Sequence, residues 1–361
     1  MLGTAVLSAG TPQQAQAVRQ AYESKLEAWK LRMQLAKTQA AREELAAEAP
    51  DPKKAARDMW SVIGGSMPGE KDGGGIGALD KEWAIEPMAW FLQVARQLAQ
   101  VGADGIARPL AAGEMTTVRR AVEAYHLKSA KLAPMCMALV ACGDPDSQAL
   151  LRKIEKTNPS KEVSGVAALG IAMTAKGIGD DAKVMRERLT MLRKAIVDAA
   201  DVEINGTTVA ELAEEELYII MNLSKGVVAP DLVGVNSNGA PMKLSDFAGK
   251  VLILLFWNSG GDGPDAILEM VRAIREDERF AGKAFEVVGV NSDPPQVLKK
   301  LQTEHRIDWP NFSDPQNRLG KEYRVGGWPL AYVLGPDRQI HYVGNMGTFV
   351  ELTAYAVLTG D

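Results

Sequence analysis

The side chains able to do chemistry are few and scattered. Two cysteines, Cys136 and Cys142, lie six residues apart, and three histidines, His126, His305 and His341, stand alone. No pair of them has metal-ligand spacing, and two thiols supply no disulfide framework. On one helix a separation of six gives about 9 Å of rise, beyond the Cα distance a disulfide tolerates. The pair is therefore expected to be small buried hydrophobes rather than a redox couple. The stretch with the shape of a reactive site lies elsewhere. Val251 to Glu269, VLILLFWNSGGDGPDAILE, reads as a buried strand, a glycine turn and a helix start, and its turn carries no Cys, His or Lys. Ser259 is a nucleophile only with a general base, and no His stands near it in sequence. Asp262, Asp265 and Glu269 read either as a carboxylate cluster for a cation or as acidic residues favoured by a helix N-terminus, with Pro264 at its first position. The second reading is preferred.

The elements that position this turn occupy about one third of a chain of 361 residues. That length predicts two domains, with room for a helical arm, in a multidomain fold. A net charge of −5, from 41 basic and 46 acidic residues without a basic block, argues against nucleic acid or an anionic membrane as main partner. No apolar run approaches the ~18 residues of a membrane span. Residues 1–17, with Leu2 to Gly10 apolar or small and Ala15-Gln16-Ala17 of small-x-small form, read as the remainder of an export signal or as an Ala-rich terminus. The first places the protein in the periplasm or envelope, the second in the cytoplasm.

Residues 18–49 predict one amphipathic helix, with Tyr22, Leu26, Trp29, Met33 and Ala36 on a stripe that also suits self-association. Pro50-Asp51-Pro52 breaks it, a short helix runs to Ile63, and the glycine-rich segment 64–77 reads as a mobile linker or exposed loop, so that 50–79 is a joining region. Residues 80–224 read as an all-helical, repeat-like domain, with helices at 81–103, 113–129, 131–141, 145–157, 161–176, 180–200 and 207–223, the last capped by Thr207 or Thr208. From 225 onward the texture alternates. Strands fall at 232–235, 251–257, 285–290, 330–334 and 340–343, helices at 264–280, 295–305, near 317–323 and from 349. A seven-residue apolar run, VLILLFW, is what a central strand covered on both faces requires. The fold class is thus an N-terminal all-α region followed by a C-terminal α/β domain.

Several pieces of 228–345 occur in the order of one family. They are Ala229-Pro230-Asp231, Lys243-Leu244-Ser245-Asp246-Phe247-Ala248-Gly249-Lys250, Phe256-Trp257, Phe285 to Val290, Tyr323 to Pro329, Leu334-Gly335-Pro336-Asp337 and Val343-Gly344. Together they resemble the thioredoxin-like fold in its TlpA-like, redoxin (AhpC/TSA-type) branch; the helical two thirds resembles no named family. The resemblance implies a thiol–disulfide oxidoreductase with Cys-x-x-Cys at the helix start, the first thiol activated by the helix N-terminus. Those two positions are Gly261 and Pro264 here, the usual helix carboxylate falls on Ile267, and no cysteine occurs between 225 and 361. Exchange needs a sulfur nucleophile, so no catalytic residue, metal or cofactor is assigned. The resemblance also implies a cis-proline at Trp328-Pro329 facing the turn. With Trp257, Asn258, Ser259, Gly260, Gly261 and Asp262 it would line a shallow groove for an extended peptide paired by strand addition; the same proline and tryptophans also read as fold requirements with nothing bound. Three functions follow: a redox-inactive binding or scaffolding module, preferred; an oxidoreductase using Cys136 or Cys142; and a self-associating structural envelope protein.

Overall fold

The computed structural model describes residues 10–36, 39–66, 75–101, 107–175, 182–260 and 265–360. The chain forms two compact units, Met1–Glu214 and Glu215–Asp361.

The first unit is mainly helical. Helix α1 (Pro12–Leu35) begins where Thr11 and Gln14 form a reciprocal capping box with Pro12 at the first position, six residues earlier than expected. The trio Ala15-Gln16-Ala17 therefore lies inside α1, with Ala15 buried. The single helix over 18–49 is corrected to two. Ala36 turns extended after Leu35, α2 (Gln39–Ala47) follows, and Trp29 Nε1 donates to Leu45 O at 2.6 Å, folding the pair back on itself. Next comes α3 (Pro52–Ile63), capped by Asp51. The glycine-rich segment does not space two bodies apart: Ser66 N donates to Gly75 O and Ala78 N to Ile63 O, so its ends meet within one unit. Residues 67–74 of that segment lie outside the described residues.

Helix α4 (Ile85–Ala95) stops eight residues short of the expected end. The chain then forms a hairpin of β1 (Ala99–Val101) and β2 (Ala107–Pro109), so the region is not all-helical. The pairing of Ala99–Val101 with Ala107–Pro109 overrides the helical pattern here. Helices α5 (Ala112–Ala121), α6 (Ala133–Cys142), α7 (Pro145–Thr157), α8 (Lys161–Ala175) and α9 (Ala182–Ala199) follow, then a second hairpin of β3 (Glu203–Ile204) and β4 (Thr207–Thr208). Helix α8 is buried almost all round because its small residues admit close neighbours; a Cβ on Gly165 would lie 2.6 Å from that of Ala199 on α9. Helix α10 (Val209–Asn222), capped through Thr208 and Glu211, crosses from one unit into the other.

In the second unit β5 (Val233–Val235) pairs with β6 (Pro241–Lys243). The main sheet then builds from β7 (Val251–Trp257), α11 (Asp265–Glu276), β8 (Phe285–Asn291), α12 (Pro295–Thr303), β9 (Asn311–Ser313), α13 (Arg318–Glu322), β10 (Leu330–Leu334), β11 (Ile340–Gly344) and α14 (Thr348–Thr359). Its order is β11-β10-β7-β8-β9, with β7, β8 and β9 parallel and β10 and β11 antiparallel. All seven residues of β7 are buried. Ile253, Leu255 and Trp257 face a layer with Leu268, Val271 and Leu298, while Leu252, Leu254 and Phe256 face one with Phe312, Tyr323 and Tyr332. Two apolar layers on one strand explain its unbroken hydrophobic run.

Candidate functional site

The site stands where β7 ends. Strand β10 starts there too, because Leu330 pairs with Phe256, and this register sets Trp328-Pro329 beside the residues that leave Trp257. The Trp328–Pro329 bond is cis, and Trp328 is 42% exposed beside the open Gly326 and Gly327. Across from it, Gly260 N donates to Asn258 Oδ1 at 3.0 Å, which curls the backbone into the turn. Gly261, Asp262 and Pro264 lie outside the described residues, so the groove is drawn from Asn258, Ser259, Gly260, Trp328 and Pro329.

Trp257 is corrected. Its side chain is 0% exposed and offers a groove no surface. As the last residue of the central strand it points into the α11 layer, where its Nε1 donates to Asn311 Oδ1 at 2.9 Å. Asn311 in turn donates through Nδ2 to Trp309 O. Gly289 on β8 makes room for this pair: a Cβ there would overlap Asn311 Oδ1 and approach Trp257 Nε1 to 2.9 Å.

Below the turn lies a group that sequence reasoning missed. Asp293, 9% exposed, accepts Ser259 N at 2.9 Å on Oδ2 and the Ser259 hydroxyl at 2.9 Å on Oδ1. Asn291 Nδ2 adds a third donor at 2.9 Å, and Asn291 Oδ1 accepts the Asp293 N–H. Ser292 N donates to Trp257 O, so β7 and the β8 exit are laced together. A separation of 34 positions between Ser259 and Asp293 hid the pair. Its local sign was Asn291-Ser292-Asp293-Pro294 directly after an apolar strand, a turn composition that also holds acceptors. Chemically this is a clamp. The carboxylate oxygens are taken up by donors from Ser259 and Asn291, and the described residues bring no imidazole to it.

The chain's thiols sit in α6. Cys136 is fully buried and its thiol is pushed up to about 12 by burial; Cys142 is also raised, by burial first and then by Asp144. Neither is disposed to form a thiolate near neutrality.

Tyr218 and Ile219 of helix α10 pack against the layer that holds Phe312, Tyr323 and Tyr332. Glu215 pairs with Arg324, whose guanidinium lies 4.1 Å from the Tyr218 ring centre. Next to them, the Tyr323 hydroxyl donates to Pro230 O at 2.5 Å, and burial raises the Tyr323 and Tyr332 hydroxyls. This packing fixes the segment leading to Trp328.

The AhpC/TSA family profile matches residues 226–343. Residues 226–343 form an AhpC/TSA (redoxin) thioredoxin-like domain. The redoxin domain is 26% identical over 133 residues to a chloroplastic peroxiredoxin Q of Gentiana triflora, covering 37% of this chain and 59% of that protein. It is 24% identical over 131 residues to the thiol-disulfide oxidoreductase ResA of Bacillus subtilis, covering 36% of this chain and 72% of that one. Among solved structures, a putative thiol:disulfide interchange protein DsbE from Chlorobium tepidum aligns at 23% identity with a TM-score of 0.34, over 37% of this chain and 98% of that one. The chain spans about three fifths of the length of the peroxiredoxin Q relatives it matches. The family match stops at the redoxin domain; the helical unit lies outside it. Among the described residues no helix is long and apolar enough to cross a membrane.

Proposed function

We propose that the redoxin domain is a redox-inactive binding module that takes an extended peptide along Trp328-Pro329, opposite Asn258, Ser259 and Gly260. The observation that carries this reading is a substitution of roles at the turn. Residues 225–361 contain no sulfur nucleophile, and the residue at the turn's shoulder, Ser259, is tied down by Asp293 through both its N–H and its hydroxyl. A rigid backbone beside an exposed tryptophan suits recognition by strand addition, in which main-chain groups supply affinity and an aromatic side chain supplies a contact. The buried Cys136 and the half-buried Cys142, both with raised thiol pKa, weigh against the oxidoreductase reading.

A peptide array probed with wild type and Trp328→Ala tests the groove. Loss of the captured sequences in the variant is expected, with thermal stability unchanged; equal capture by both proteins rejects the groove. A disulfide-exchange assay runs beside it, comparing wild type with the Cys136→Ser/Cys142→Ser double variant. No turnover is expected from either, and thiol-dependent turnover by wild type would establish the oxidoreductase instead. Self-association has its own support, since Leu31 and Leu35 on α1 are exposed. Sedimentation of the chain with and without residues 1–50 decides that point: an unchanged association state removes α1 and α2 from any interface.

A further inference from the structure

Helix α14 carries a single charged residue, Glu351, and that carboxylate is turned aside to Arg279. The inner face of the helix sinks into the layer of Ile253, Leu255 and Trp257 through Val350 and Ala354, with Tyr355, Val357 and Leu358 packed alongside. Its outer face is apolar too. Phe349 is 73% exposed and Leu352 50%. A helix that is apolar all round is ordinarily covered all round, and exposed apolar side chains grouped on one face mark an interaction surface.

Two other helices pack on the same layer, and both follow the ordinary pattern. Helix α11 buries Leu268, Val271 and Ile274 and exposes Glu269, Arg272 and Glu276. Helix α12 buries Leu298 and Leu301 and exposes Lys299 and Lys300. Only α14 turns carbon outward. Its outward positions are Phe349, Leu352, Thr353, Ala356 and Gly360, which share one stripe at the i, i+3, i+4, i+7 and i+11 spacing. The stripe is graded in size, bulky in its N-terminal half and small in its C-terminal half.

We infer that this face of α14 is where two copies of the chain associate, about a two-fold axis that sets the two helices antiparallel. In a two-fold contact one surface meets itself, so it must tolerate its own charge and fit its own reverse. The α14 stripe meets both demands. None of its five residues is charged. Reversal lays Phe349 and Leu352 of one copy against Gly360 and Ala356 of the second, where small side chains let the helix axes approach. The stripe spans three turns, about 16 Å, which places the contact among weak, reversible interfaces. The inference does not rest on the peptide groove, and it uses a different surface from Leu31 and Leu35 of α1.

Sedimentation equilibrium of the full chain tests the inference. The weight-average mass should rise with concentration towards that of a dimer. A Phe349→Lys/Leu352→Lys variant should associate at least about tenfold more weakly, with its melting temperature unchanged because both side chains are exposed. The axis passes close to Thr353, so cross-linking gives a second readout. On a Cys142→Ser background, with Cys136 fully buried, Thr353→Cys should form a disulfide-linked dimer under glutathione disulfide. Thr303→Cys, exposed on α12, should not. A chain that stays monomeric at every concentration, a double lysine variant that associates as wild type does, or equal cross-linking from positions 353 and 303 overturns the assignment.

Discussion

Helix α6 and the turn after β7 divide between them what a thiol enzyme would need. The first has sulfur: Cys136 sits fully buried in the helical unit, its thiol pushed up to about 12. The second has an exposed tryptophan before a proline and a turn braced from below, but no sulfur. Reactivity comes from a residue in its setting. A thiol in an apolar core is a small hydrophobe, and a turn without a thiol is a surface.

Moving one property into the other region puts this contrast to the test. The largest expected effect comes from supplying sulfur. A Gly261→Cys/Pro264→Cys variant should gain thiol–disulfide exchange from an undetectable background, read with a glutathione-coupled assay; continued inactivity would mean that the turn has lost its shape as well as its reagent. Gly289→Ala should cost about 2–3 kcal/mol in urea unfolding of the redoxin domain, because the added methyl meets the Trp257–Asn311 pair. Asp293→Ala should cost about 2 kcal/mol by leaving the Ser259 and Asn291 donors unpaired, and should weaken any peptide capture along with it. Ser259→Ala should cost about 1 kcal/mol, since the backbone N–H still reaches Asp293.

The thiol side is tested by pH. The Cys136 thiol ordinarily titrates at 9.0 and in the fold at about 12. Above pH 9 the unfolded chain releases that proton and the folded one keeps it, so stability of the helical unit falls as pH rises from 9 towards 12. The slope is about 1.4 kcal/mol per pH unit from this group alone. Cys136→Ala should flatten that part of the profile, measured by urea midpoints between pH 8 and 11. A slope unchanged by the substitution would show that burial of the thiol is not its cause. The smallest effect is on reagent access: at pH 8 Cys136 should stay unmodified by iodoacetamide until the chain unfolds.

Local pattern carried much of the architecture. The run from Val251 to Trp257 specified a strand with two covered faces, and Asp144-Pro145 and Asn158-Pro159 specified the ends of α7, because both signals act within a few residues. The break after Leu35 and the hairpin at 99–109 were not visible in the same way. Helix-forming residues continue past Ala36, and contacts 16 positions on, from Trp29 to Leu45 and from Arg32 to Glu48, reward folding back. The site was legible in part. Trp328 and Pro329 stood out by their neighbours, whereas Trp257 looked like a groove residue until the sheet buried it.

Composition and short-range periodicity need no partner, so the chain alone already specifies that no cysteine lies beyond residue 225 and that an apolar strand runs into a glycine turn. Folding alone placed a brace under that turn and buried Trp257. Asp293 meets Ser259 and Asn311 meets Trp257 across separations of 34 and 54 residues. Such pairs form only when parallel strands bring distant segments into register, and hydrogen bonds of about 3 Å carry no trace along the chain.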